Sequence, residues 1–325
     1  MSADRNKRSS DVTERGRGAN RPSEIPRKGW KDILMRVKNE VYDDNLSIIS
    51  AGVAFYAFLS IFPALAALTS IYGLVMDPAG LEKQMMTIQG MLPPEAAQVV
   101  NDEVRRIGGS GSNRLGWSFA IGTLLAIWSA AKGMKAMMES MNVVYDESES
   151  RGFLKLNAAA ILLTLGAIVF VVLCLALIVA IPILLGAVGM QGLLGPLVNY
   201  LRWPVLAVAS AVALGVLYRY GPSREQPKWQ WLTWGAVLAM VIWLSGSVLF
   251  SLYVSHFGSY NKTYGTLGVV VILMMWLLLS AFSVLLGAEI NAEIEHQTAE
   301  DTTTGEPKPK GQRGAYVADT VGRES

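Results

Sequence analysis

The chain has 325 residues, of which 52% are apolar and only 17% charged, with a formal net charge of +2. Soluble domains carry about 25% charged residues, so a mean hydropathy of +0.35, reached despite two polar ends, excludes an ordinary soluble globule and indicates a multi-span membrane protein. One cysteine (Cys174) rules out a disulfide framework and a cysteine-built metal site, and two distant histidines, His256 and His296, weigh against a histidine-built one, so no metal or cofactor is expected.

In chain order, residues 1–44 form a basic tail with almost no apolar content before Trp30. It is expected to be largely disordered, with a short surface helix over 30–44. No secretory signal is expected, because no short apolar run directly follows a basic head. Nucleic acid is not an expected partner either. Acids are interspersed with the bases, no aromatic stacking platform is present, and a basic segment beside a membrane follows from anionic lipid alone. Six apolar segments then follow, near 47–75, 116–138, 156–186, 197–218, 231–255 and 265–288, each long enough to span a bilayer. All six read as helices, because in hydrocarbon every backbone polar group must be bonded internally. Between the first two, Leu81, Met85, Ile88 and Leu92, then Val100, Val104 and Ile107, carry the helical period. The fold class expected is therefore all-α: a polytopic membrane protein of six transmembrane helices, with two short amphipathic helices in the first outside loop. Eleven Lys and Arg residues in 1–46, with further basic residues at 151–155 and 219–228, place both termini in the cytoplasm. Residues 45–296 form the transmembrane domain and 297–325 a second disordered cytoplasmic tail.

Several residues within or beside the spans are candidates for a pathway or a gate. Gly52, Tyr56 and Ser60 share one face of span one, and Pro63 frees the carbonyl of Leu59. Small and hydroxyl side chains on such a face serve either close helix packing or the lining of a polar route. Lys132 and Lys135 close span two and either snorkel to the surface or meet Glu289 and Glu293 at the end of span six. Ser247, Ser251 and Ser255 form a stripe on span five that back-bonding within the helix also explains. The stretch SYNKTYGTLG (259–268) sets Tyr264, Gly265 and Gly268 where span six begins, and Gly there allows a bend or a close approach. No nucleophile–base set, phosphate loop or zinc motif is present.

AGVAFYAFLSIFPAL, WSAAKGMKAMMESMNVVYDESESRGF, YNKTYGTLG and LLGAEINAEIE, in this order, resemble the YihY/BrkB family of bacterial inner-membrane proteins over roughly residues 30–296. The family motif YGSLG stands here as YGTLG, which keeps the hydroxyl. The resemblance implies six membrane helices and no settled biochemical activity. It brings an old ribonuclease BN label and a connection with transport of lipid-like molecules. The family positions fall on Gly52, Tyr56, Ser60, Pro63, Asn142, Arg151, Tyr264, Gly265, Gly268, Gly287, Glu289 and Asn291. Ribonuclease chemistry needs a general acid and base or clustered metal ligands, and the sequence offers neither. The expectation is a non-enzymatic transporter or translocator of a lipid-like or amphipathic anion, or alternatively a non-transporting scaffold for envelope assembly. Its partners would be membrane lipids, an unidentified substrate and, for a homo-oligomer, a second copy of the chain.

Overall fold

The computed structural model describes residues 14–75, 112–181, 185–186, 191–256 and 266–323. The expected amphipathic helices at 81–107, the residues Tyr264 and Gly265, and tail residues 1–13 lie outside them. Eight α-helices are described: α1 (Arg27–Asp43), α2 (Leu46–Val75), α3 (Ser112–Val144), α4 (Phe153–Leu175), α5 (Gln191–Tyr220), α6 (Thr233–His256), α7 (Thr266–Gln297) and the single turn α8 (Tyr316–Asp319). Among the described residues, five segments are long and apolar enough to cross a membrane: Leu46–Pro63, Phe153–Ile178, Gly195–Tyr220, Trp229–Ser255 and Gly268–Gln297. The chain is thus an all-α, multi-span membrane protein. The helices outrun several expected ends. α3 continues to Val144 and α7 to Gln297, so Lys132, Lys135, Glu289 and Glu293 stand within helices rather than at their ends.

Helix α2 packs along α3 and α7, and α7 also packs along α6 and against α1. The α2–α3 contact is close because Gly133 of α3 has no side chain. An added Cβ there would lie 3.6 Å from the backbone of Tyr56 and Ala57, the small-residue approach that membrane helices use. A π-turn (Ala176–Ala180) extends α4. Asn45 and Asp146 both carry a φ of 53°. Asn and Asp tolerate this left-handed region best among residues with a side chain, and here they turn the chain out of α1 and α3.

The described parts of both tails gather at one end of the bundle, packed where the sequence reading expected disorder. Neither the described part of the N-terminal tail nor the segment after Gln297 is disordered. Arg17, Ala19 and Ile25 are buried, as are Thr302, Thr303, Arg313, Val317 and Ala318. The two tails bond to each other: Ala299 N donates to Arg17 O at 2.7 Å, Thr298 Oγ1 to Ala19 O at 2.7 Å and Gln297 Nε2 to Arg15 O at 2.8 Å. Each tail has too few apolar residues to fold alone. Together they satisfy each other's backbone and lay Ile25 against Ile33, Val37, Trp231, Ile290 and Ile294.

The C-terminal segment is locked by Arg313. Its guanidinium donates to the carbonyls of Lys308 (3.2 Å), Glu300 (3.0 Å), Ala318 (2.6 Å) and Ala299 (2.9 Å). Arg313→Ala leaves these carbonyls without their donor, a local loss of about 2 kcal/mol or more. The open population then rises about thirtyfold. Limited trypsin digestion reads this as faster cleavage at Lys310 with the far-ultraviolet dichroism unchanged; unchanged cleavage would refute the lock.

Candidate functional site

The polar chemistry of the described structure is concentrated at the end that carries the described tails. Its first part is a cavity of ≈ 690 Å³ between α4, α5 and the loops beneath them. Ala159, Leu162, Leu163 and Val216 form its wall on the two membrane helices, and Ser150, Arg151, Arg219, Ser223, Arg224 and Glu225 line its polar floor. The three arginines are held differently. Arg151 grips Glu149 with Nε at 2.8 Å and Nη2 at 2.7 Å, and Nη2 also donates to Gly221 O at 2.9 Å. These hydrogen bonds hold the Glu149 carboxyl down to about 2. Arg224 makes a two-point pair with Glu295 at 2.7 and 3.3 Å, in which both side chains are 0% exposed. Arg219 makes no ion pair among the described residues. Its Nη1 donates to Pro227 O at 2.6 Å, its charge stacks on Trp229 at 5.1 Å, and its Nε is buried without a partner.

Asn142 closes this floor. Its Oδ1 accepts from Ser223 N at 2.7 Å and its Nδ2 donates to Glu149 at 3.1 Å. Asn142 and Arg151 therefore tie the α3–α4 turn to the α5–α6 loop, which fixes the cavity's rim.

The second part is the last turns of α7. Asn291 accepts from Gly235 N at 2.8 Å and donates to Leu232 O at 3.2 Å, so it caps α6 from a neighbouring helix. Glu293 is bound by Arg36 of α1 and faces His296 at 3.5 Å. Glu289 is 1% exposed, and its Oε2 has no hydrogen-bond partner. Tyr145 Oη is likewise buried and unpartnered. Outside the membrane segments, Asp44 is pushed up to about 7 by burial first and then by Glu40, Asp146 and Asp43. Burial raises Glu40 and Asp146 in the same sense.

The other sequence candidates do not join one site. Gly52 and Tyr56 are exposed on α2, and Ser60 Oγ donates to Ala57 O at 2.6 Å beside Pro63. An added Cβ at Gly52 would meet nothing within 4 Å, so no described element packs against that position. Ser247 of α6 is buried at its unpartnered Oγ, Ser251 is exposed, and Gly268 is buried at the start of α7. The hydroxyl faces of α2 and α6 share no substantial interface. Lys132 is exposed and Lys135 lies over the Phe153 ring at 5.7 Å. Among the described residues neither lysine pairs with Glu289 or Glu293, so the expected Lys–Glu meeting is not made. The cations that serve α7 come instead from Arg36 and Arg224, which sequence spacing did not single out. Arg219, Tyr145 and Glu295 were missed too. Glu295 had a signal, since GAEINAEIE continues the acids of Glu289 and Glu293.

The sequence profile of the family described as "Virulence factor BrkB" matches residues 37–312. A ribonuclease-like protein of Bacillus subtilis (strain 168), YfkH, is 32% identical over 75% of this chain and 88% of its own length. The UPF0761 membrane protein IL2447 of Idiomarina loihiensis is 25% identical over 82% of this chain and 90% of its own. The UPF0761 membrane protein PSHAa0171 of Pseudoalteromonas translucida is 27% identical over 84% and 88%. No solved structure matches.

Proposed function

The chain belongs to the YihY/BrkB family of bacterial membrane proteins, and on that premise we propose that it moves an amphipathic, anionic, lipid-like substrate across the cytoplasmic membrane. In this reading α3 also crosses, as the second of six spans, and the end that carries the described tails faces the cytoplasm, where basic residues are retained. The cavity between α4 and α5 is the observation that carries the proposal. Its apolar wall, Leu162, Leu163 and Val216, belongs to helices that continue into the lipid, while its floor presents Arg219 without a carboxylate partner. An acyl chain suits the first and an anionic headgroup the second, because a guanidinium binds an anionic oxygen with charge-assisted bonds. The role is non-enzymatic; the ribonuclease-like name of the Bacillus relative describes that relative.

Purified protein in liposomes containing a fluorescent-tailed phosphatidylglycerol tests this. The wild type accelerates movement of the label between leaflets, read by chemical quenching of the outer one. Arg219→Gln lowers the rate by roughly tenfold, the worth of one charge-assisted hydrogen bond. Lys310→Gln, on the exposed tail, leaves it unchanged. No movement of this lipid or of a broad panel of amphipathic anions would reject the proposal in favour of a scaffold, and turnover of labelled RNA would reject its non-enzymatic part.

A further inference from the structure

The three acids near the end of α7 are not equivalent. Glu293 is held by Arg36 and His296, and Glu295 by Arg224 with Thr302 Oγ1 donating to it at 2.9 Å. Glu289 alone of the three leaves an oxygen unpartnered, at 1% exposure. Its neighbours along the helix, Leu285, Ala288 and Ala292, belong to an apolar cluster with Leu46, Met141, Val144 and Val317. A carboxylate taken out of water without a donor is costly, and an ionisable group inside a membrane bundle marks an ion or proton route more often than a structural element.

The elements packed against α7 bring further acids: Asp44 and Glu40 at the end of α1, and Asp146 beyond α3, beside Glu293 of α7 itself. The nearby cations are already engaged, Arg36 by Glu293 and Arg224 by Glu295. His296 sits against Glu293 and Thr320. From α5, Tyr218 gives its hydroxyl to Val284 O at 2.8 Å, and Tyr145 Oη stands unpartnered near the turn after α3. Helices α2 and α6 bring no charged side chain ahead of His256. Of these acids Glu289 is buried, Asp44 and Glu40 are half-buried and Asp146 is exposed. Among the described residues, no group of three His, Cys, Asp or Glu is arranged to hold a metal ion. A proton needs only one oxygen.

We propose that Glu289 is a proton-binding site that couples transport to the proton gradient, exchanging its proton with the cytoplasm. In the transfer an O–H bond forms on the Glu289 carboxylate as one breaks on a hydronium ion, which leaves as water. Because a coupling proton has meaning only for a carrier, this role rests on the transport reading above.

Two measurements separate the claims. Difference infrared spectroscopy of the purified full chain across neutral pH reads proton binding directly, without transport. A protonated-carboxyl band present in the wild type and missing from Glu289→Gln, beside any Asp44 band that both proteins keep, is expected; identical carboxyl bands in the two overturn the site. Glu289→Asp, which keeps the acid, retains a shifted band, and its complete loss in a folded protein also counts against Glu289 as the proton acceptor. The second measurement is lipid movement in liposomes loaded with a pH-sensitive dye. With one proton per cycle, a gradient of one pH unit changes the leaflet ratio about tenfold, and Glu289→Gln removes that response. Lipid movement that ignores the gradient overturns the coupling and leaves transport standing. A titrating Glu289 band without any lipid movement overturns coupled transport as well as the function proposed above.

Discussion

Glu295→Ala is expected to destabilise the protein by about 3–5 kcal/mol, the usual cost of stripping one partner from a buried ion pair. Arg224 and Glu295 are both 0% exposed and meet at 2.7 and 3.3 Å. The guanidinium also lies over the Tyr145 ring at 4.8 Å, an attraction that the substitution keeps but that supplies no negative charge. Without Glu295 the cation keeps only a weak bond of 3.3 Å to Glu225 O, and Thr302 Oγ1 loses its acceptor. Unpaired charge at such burial outweighs the modest packing lost with the side chain. The pair itself is a different matter. Its attraction is largely offset by the desolvation of both ions, so Arg224→Met combined with Glu295→Leu should recover most of the loss. Thermal unfolding in detergent checks both: a fall of roughly 10 °C for the single change and a near return for the double. Glu149→Ala is the comparison, since the Arg151–Glu149 pair is 19% and 22% exposed and water can take over its charges. A fall for Glu295→Ala no larger than for Glu149→Ala would show that the buried pair is not what holds the α5–α6 loop to α7.

The spans were legible because hydrophobicity over about 20 residues is a strong signal. Leu46, Thr233 and Phe153 open helices close to where the composition places them. The tails were not legible, for a physical reason. Val317, Ala318 and Ile25 are too few and too scattered to show a period. Their burial depends on surfaces supplied by α1, α7 and each other, and no local pattern encodes a partner nearly three hundred residues away. The site divides in the same manner. Glu289, Asn291 and Glu293 could be named because polar groups in or beside an apolar span stand out, whereas Asn142 and Arg151 were implied only by the family resemblance. Their partners could not. Arg224 reads as a loop cation after Gly221-Pro222-Ser223, and only the fold brings it to Glu295, 71 positions along. Lys132 and Lys135 were the nearer choice by chain logic, since the expected ends of spans two and six lie on the same side of the membrane, yet Lys132 is exposed and Lys135 lies over the Phe153 ring. Spacing says which residues share a face; it does not say which helix that face meets.

A single methyl group at Gly235 should separate α6 from α7. An added Cβ at this position would overlap the Gly287 carbonyl oxygen and the Asn291 side-chain amide. The first is backbone of the opposite helix. The second is the group that caps α6 by accepting from Gly235 N at 2.8 Å. Neither is the free end of a flexible chain, so no rotamer change relieves the overlap. Gly287 is confined in return, its own added Cβ lying 2.6 Å from Ala239 Cβ and 2.7 Å from Gly235 O. Against this, Gly→Ala in a helix gains at most about 1 kcal/mol of propensity. Overpacking a tight contact costs about 1–3 kcal/mol, and the lost cap adds about 1 kcal/mol more. The net for Gly235→Ala is destabilisation by about 1–3 kcal/mol, and Gly235→Leu should fail to yield monodisperse protein. Gly166→Ala on α4 supplies the contrast, because its Cβ meets nothing within 4 Å, leaving only the propensity gain and an unchanged or slightly higher melting temperature. Size-exclusion profiles and melting temperatures of the three variants test the crossing, and a Gly235→Ala protein as stable as Gly166→Ala would mean that α6 and α7 do not meet backbone to backbone.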